Sequence, residues 1–317
     1  MTALTRVHAW HGEAAVTLVA ANYSATFLPD CGMLGVSLTH DGAELLALPR
    51  SIDDYRRGMP TGGYTGLPLN APYANRLARR RFDIEGRAVA ISRRAAADRN
   101  GLPIHGTLEA QPFVVESIEA RRTGVSLVAA MRYDDPGLLA AFPFAHSYRI
   151  EASLSARGLA ITTLVATDEP GGVPVSFGWH PFLRVPSTAR SRWQLGLPSR
   201  RHVRLDDRLL PTDGDELEAA EVRPLGSRTF DDHYTLGRDR RFSIAGRDRR
   251  VDVRFDEGYG YAQLYVPPQG MPGWSTTDFV CIEPMTAPTN ALLDGGAARA
   301  TRANPYAATF TIGASRT

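Results

Sequence analysis

The chain has 317 residues, and every one of its 36 Lys or Arg positions is arginine, which excludes a Schiff-base lysine and a P-loop Gly-Lys-Ser/Thr phosphate site. Against 34 acidic residues the formal charge is only +2, so no global basic field speaks for nucleic acid. A composition of 43% hydrophobic and 22% charged residues is that of an ordinary globular protein.

Met1–Ala20 carries Arg6, His8, His11 and Glu13 and lacks the apolar core of a signal peptide. No apolar run approaches the roughly 20 residues that span a bilayer. Cys31 and Cys281 lie far apart and fit a reducing compartment, although sequence leaves a single long-range pairing open. The expectation is a soluble cytoplasmic protein with no membrane partner.

The first strand signal is Ala15–Phe27. Ser51–Arg57 reads as a short turn of helix. Arg81-Phe82-Asp83-Ile84, a Glu85-Gly86-Arg87 turn and then Val89 and Ile91 read as a hairpin. Val125–Tyr133 follows as a strand. From Ser147 the apolar series Tyr148, Ile150, Ala152 and Leu154 alternates with Arg149, Glu151 and Ser153. After Ser155-Ala156-Arg157-Gly158, the residues Leu159, Ile161, Thr163 and Val165 repeat the period. Two strands joined by a tight turn, each with one buried face, explain that pattern. Asp206–Arg228 is polar and acidic and reads as an irregular surface excursion, with Leu217–Val222 as a second short helix. Val251–Phe255, Ala262–Val266, Phe279–Ile282 and Ala307–Ile312 complete the strands. With 29 glycines and 22 prolines as punctuation, the reading is all-β, a large antiparallel β-sandwich over residues 1–317 as a single domain.

Five segments place chemistry beside breaks in regular structure. Leu102-Pro103-Ile104-His105-Gly106-Thr107 and Phe177-Gly178-Trp179-His180-Pro181-Phe182 each hold a histidine among residues that interrupt strands. Either is an ordinary loop histidine or a pocket residue. In Phe279-Val280-Cys281-Ile282-Glu283-Pro284-Met285-Thr286 a carboxylate ends an apolar run. Glu283 faces solvent, or it is desolvated with the raised pKa of a general base. Asn75 and Arg76 offer planar donors to a ligand, whereas Arg79, Arg80 and Arg81 read as a solvated face. Thr229-Phe230-Asp231-Asp232-His233-Tyr234 puts two carboxylates beside a histidine. Neighbours on extended chain point apart, which speaks against a shared proton. No His-x-His, Glu-x-x-His or Cys-x-x-Cys spacing accompanies them, so no metal site is expected.

Taken in order, these motifs resemble the aldose 1-epimerase (galactose mutarotase) family. The matching pieces are Asn75-Arg76 ahead of the first hairpin, Ile104-His105-Gly106, Gly178-Trp179-His180-Pro181-Phe182, Phe230-Asp231-Asp232, and Cys281-Ile282-Glu283-Pro284-Met285-Thr286-Ala287-Pro288-Thr289-Asn290-Ala291. The resemblance implies a large β-sandwich with a sugar-binding face and no cofactor. It implies interconversion of α- and β-anomers of an aldose, with Glu283 as general base on the C1 hydroxyl and His180 as general acid on the ring oxygen. It also implies that His105, Arg76, Asn75 and Asp232 bind substrate. Acid and base are expected on two sides of the sugar ring.

Two departures bear on the sugar. Gly178-Trp179-His180-Pro181-Phe182 stands where many galactose mutarotases have Asn-His-x-x-Phe, and Thr107 replaces the second glycine of a His-Gly-Gly motif. The partner is a monosaccharide, free or phosphorylated, and the protein a monomer or homodimer. The alternatives are a hexose-6-phosphate 1-epimerase, with Arg79–Arg81 or Arg184 on the phosphate, and a non-catalytic carbohydrate-binding protein.

Overall fold

The computed structural model describes residues 3–57, 64–109 and 111–317. Strand outweighs helix, 52% to 7%, so helices serve only as connectors and three sheets carry the architecture. A five-stranded meander runs from Leu4–Trp10 to Ala43–Glu44. A nine-stranded sheet follows the spatial order Glu221–Pro224, Gln194–Leu197, Arg241–Ala245, Arg249–Phe255, Tyr306–Arg316, Gly158–Ala166, His146–Ser155, Gly124–Tyr133 and Val114–Arg121. The third sheet has eight strands. Its central members are Phe230–Leu236, Tyr261–Val266 and Val280–Met285, followed by the short Gly178–Trp179 and Leu69–Asn70. Ladders in all three sheets are antiparallel.

One face of each large sheet meets the other in a common core. Leu127, Ile150, Ile161, Val253 and Phe310 come from the nine-stranded sheet, and Ala262, Leu264, Val280 and Ile282 from the eight-stranded one. Trp179 crosses between them. Its indole Nε1 donates to Thr163 Oγ1 at 3.0 Å, and its ring lies 6.0 Å from Phe310. The period of two then decides which residues reach the opposite face of the eight-stranded sheet. Val280 and Ile282 enter the main core, so Cys281 and Glu283 point the other way.

That second face is covered. The segments 64–77 and 102–108 lie over it, held by backbone hydrogen bonds such as His180 N to Pro68 O and His105 N to Asn75 O. A smaller apolar cluster of Tyr55, Tyr64, Phe182, Phe279, Cys31 and Cys281 sits beside it. Both cysteines are buried free thiols.

The hairpins at Arg81–Ile84/Arg87–Ala90 and His146–Ser155/Gly158–Ala166 form as their alternation indicates. Glu85 and Gly86 turn the first with φ of 53° and 80°, the mirror-image turn that suits strand twist. Ser51 caps the Ile52–Arg56 helix, accepting from Asp54 N. Two expectations fail. The run 15–27 is a hairpin, broken at Ala21 with φ of 53°. Asp206–Arg228 is not irregular and its Leu217–Val222 stretch is not helical: Pro211–Glu218 and Glu221–Pro224 are edge strands of two different sheets. Edge strands wet on both faces lose the polar–apolar alternation that marks a half-buried one.

Candidate active site

The covered face gathers the residues that the sequence scatters over two hundred positions. Glu283 is 1% exposed and His180 5%. His180 Nε2 lies 3.1 Å from Glu283 Oε1. His105 completes the group, its ring centroid 5.0 Å from that of His180 at 83°. One ligand-type atom from each of His105, His180 and Glu283 lies within 4.8 Å of the other two. Separate strands and loops therefore assemble a metal-compatible cluster that local spacing does not announce.

Aromatic rings set the environment of the pair. Phe182 stacks on one side of the His180 imidazole at 4.6 Å and Tyr64 stands parallel at 6.0 Å. Burial among them pushes the His180 pKa down to about 3. The same burial raises Glu283 well above the usual carboxylate range, with the nearby Asp231 charge adding to the rise and Arg76 opposing it. Burial disfavours a charge on either partner, which favours an uncharged pair with one proton across the 3.1 Å contact. Moving that proton from Glu283 to His180 gives carboxylate and imidazolium without help from solvent. Among the described residues Glu283 Oε2 and His180 Nδ1 have no hydrogen-bond partner.

Arg76 forms the second half of the site and is 6% exposed. Its Nε donates to Asp98 Oδ2 at 2.8 Å and its Nη2 to Asp231 Oδ2 at 2.9 Å. Its Nη1 donates to Asn75 Oδ1 at 3.0 Å. Asn75 Oδ1 also accepts from Arg76 N, so the Asn75 carbonyl is committed to holding Arg76 and is not free for a ligand. Gln263 Nε2 donates to Asp231 Oδ1 at 2.8 Å, and Gln263 is paired with Glu283 across the ladder. Asp231, Gln263 and Glu283 thus share one face of the sheet.

Asp232 does not join them. It is paired with Leu264, a main-core residue, on the opposite face, and its Oδ1 lies 3.4 Å from His202 Nε2. Asp231, not the expected Asp232, shares the face of Glu283, because two adjacent carboxylates give no parity until the ladder is known. Asp98, Gln263, Tyr64 and Asn70 also escape sequence reading. Asp98 alone leaves a signal: it opens an Asp-x-Asn-Gly turn, accepting from Asn100 N and Leu102 N, just before His105. Arg79 and Arg81 are exposed, and Arg80 donates to the Ser92 carbonyl, a surface role.

Two glycines are required by close approach. A Cβ on Gly106, whose φ is 88°, would stand 2.0 Å from Ala71 O. One on Gly178 would stand 2.6 Å from Pro284 O, where the Gly178–Trp179 strand leading into His180 pairs with the Glu283 strand. The position after Gly106 is under no such constraint: Thr107 simply donates its backbone N–H to Ala71 O.

The model of a family described as aldose 1-epimerase matches residues 15–300. The chain belongs to the aldose 1-epimerase family. Among solved structures it is similar to a galactose mutarotase-like protein from Clostridium acetobutylicum, at 17% identity and a TM-score of 0.83, over 100% of this chain and 99% of that one. It is also similar to galactose 1-epimerase from Lactobacillus acidophilus NCFM, at 11% identity and a TM-score of 0.77, over 99% and 98% of the two chains. At these identities the likeness is one of fold. No curated protein matches the chain. Among the described residues no helix is long and apolar enough to cross a membrane.

Proposed function

We propose that the protein is an aldose 1-epimerase acting on a free monosaccharide. The observation that carries this reading is the buried contact of His180 with Glu283. Ring opening takes a proton from O1 and gives one to the ring oxygen O5. Both oxygens are bonded to C1, so acid and base must lie close together, and a contact pair suits the task better than groups on two sides of the ring.

Transfer of the shared proton makes Glu283 the carboxylate that accepts the O1 proton and His180 the imidazolium that donates to O5. The aldehyde then rotates about C1–C2 and the same pair, with protonation exchanged, closes the ring on the other face. Arg76 supports the carboxylate by its charge and, with Asp231 and Gln263, offers polar atoms to sugar hydroxyls. A binding protein has no need of an acid and a base in contact. Arg76 is already neutralised by Asp98 and Asp231, and with Glu283 the immediate site carries no surplus positive charge, which favours a neutral sugar over a phosphorylated one.

Polarimetry on freshly dissolved α-D-glucose and α-D-galactose, with the 6-phosphates in parallel, tests the reading. Acceleration of a free aldose supports it. Acceleration of the phosphates alone moves the assignment to hexose-6-phosphates, and none at all with retained binding to a sugar-binding protein.

A further inference from the structure

His105 has an unusual second partner set. Its Nδ1 faces the backbone N–H of Asn75 at 3.2 Å and the side-chain amide of Asn70 at 2.9 Å. A backbone N–H has no choice of role; it donates. Nδ1 therefore accepts, and in a neutral imidazole the proton must sit on Nε2. Once Nδ1 is an acceptor, the Asn70 amide turns its NH₂ toward the ring, which leaves Asn70 Oδ1 without a partner among the described residues. The backbone enforces this arrangement: Asn75 and His105 both hold positive φ, 57° and 64°, and His105 N returns a hydrogen bond to Asn75 O.

We propose that the backbone N–H of Asn75, with the Asn70 amide as a second donor that follows it, locks His105 as the Nε2–H tautomer, so that the ring meets the pocket only as a hydrogen-bond donor and the His105, His180, Glu283 cluster does not take up a transition metal. A metal needs a nitrogen lone pair. The outward Nε2 has none in this tautomer, and the Nδ1 lone pair is spent on two buried donors. Switching the proton to Nδ1 would set an N–H against the fixed Asn75 N–H. Asn70 can turn its amide to follow such a switch, but the backbone cannot. The lock thus keeps three ligand-type side chains within 4.8 Å of one another available for proton traffic. Its kinetic consequence rests on the epimerase reading; the tautomer itself does not.

The test is long-range ¹H–¹⁵N correlation NMR on histidine-labelled protein, with His105 assigned through His105→Gln. The expected spectrum shows His105 as one Nε2–H tautomer that does not titrate through pH 6.5, with signals unmoved by zinc chloride. Asn70→Asp, whose carboxylate only accepts, sets an acceptor in competition with the Asn75 N–H and is expected to draw part of the His105 population to Nδ1–H, to make its signals respond to zinc, and to lower kcat by about tenfold with a smaller change in KM. Asn70→Leu keeps the Asn75 donor and is expected to keep the tautomer. An Nδ1–H ring in the unmodified protein, protonation near 6.5, or zinc-dependent shifts of His105 there would each overturn the proposal. If Asn70→Asp does not fold, the spectrum of the unmodified protein still decides. Should the lock be present and no sugar be epimerised, the proposal stands and the function assignment falls.

Discussion

His180 Nε2 and Glu283 Oε1 are 3.1 Å apart with both side chains less than a tenth exposed. Burial lowers the pKa of the base and raises that of the acid, which favours a single proton between them, and the expected behaviour of the site follows from that proton.

Replacing Glu283 by Gln preserves shape and removes the acceptor. Anomer exchange is expected to fall by roughly two to four orders of magnitude while sugar binding stays within about threefold. Saturation-transfer NMR measures the first and calorimetric titration the second. Undiminished exchange would remove Glu283 from the reaction.

The two adjacent aspartates separate cleanly. Asp231→Asn weakens the clamp on Arg76 and is expected to lower kcat/KM by roughly tenfold to a hundredfold, since a hydrogen bond to a charged group is worth about 1.5–3 kcal/mol. Asp232→Asn, on the far face, is expected to stay within about threefold. The reverse order would return Asp232 to the site.

Rate should not follow the ordinary histidine titration. Because burial holds His180 down to about 3, kcat/KM is expected to pass through pH 6.5 without an inflection and to fall only as pH approaches the lower value. The alkaline limb reports loss of the last proton of the pair, set by the raised Glu283. An acid limb centred near 6.5 would show that the histidine is not desolvated during turnover.

Folding stability has its own pH signature. Burial lowers His146 and His233 to about 4, His180 to about 3 and His105 well below its usual range. The unfolded chain protonates all four near pH ~6.5, so stability present above that pH is lost as pH falls toward the folded values, at ~1.4 kcal/mol per pH unit for each histidine. Glu283, raised, and Glu109, raised to about 7, act in the opposite sense: the fold binds their protons where the unfolded chain releases them. Burial lowers His40 as well, and five histidines against two glutamates leave net acid destabilisation between about pH 6.5 and 4.5. Urea melts across that window measure it, and His146→Gln, away from the site, should flatten the slope by about one proton.

How much of this was legible depends on what each residue's neighbours say locally. Period-two runs announced both hairpins and the strands at Gly124–Tyr133 and Tyr306–Arg316, because one face of each is buried. Glu283 was legible as a carboxylate in an apolar run, but alternation alone allowed it to face water; only the cover of 64–77 makes that face an interior. Asn70 and Tyr64 carry no pattern at all. Their roles exist through partners tens of residues away, as with Asn70 and His105. The edge strands at Pro211–Glu218 and Glu221–Pro224 failed for the opposite reason: water on both sides erased the signal that sheet pairing normally leaves.

The stacked rings around His180 have one more consequence. With the Phe182 and Tyr64 rings near parallel to it at 4.6 and 6.0 Å, and with Trp179 next to it in sequence pinned to Thr163 in the core, the imidazole is held in place. If anomers are exchanged here, the choreography belongs to the guest. The aldehyde carbon must turn one face and then the other to a stationary proton source. Selectivity would then be a matter of which open-chain sugars can pivot in place, rather than which closed rings fit.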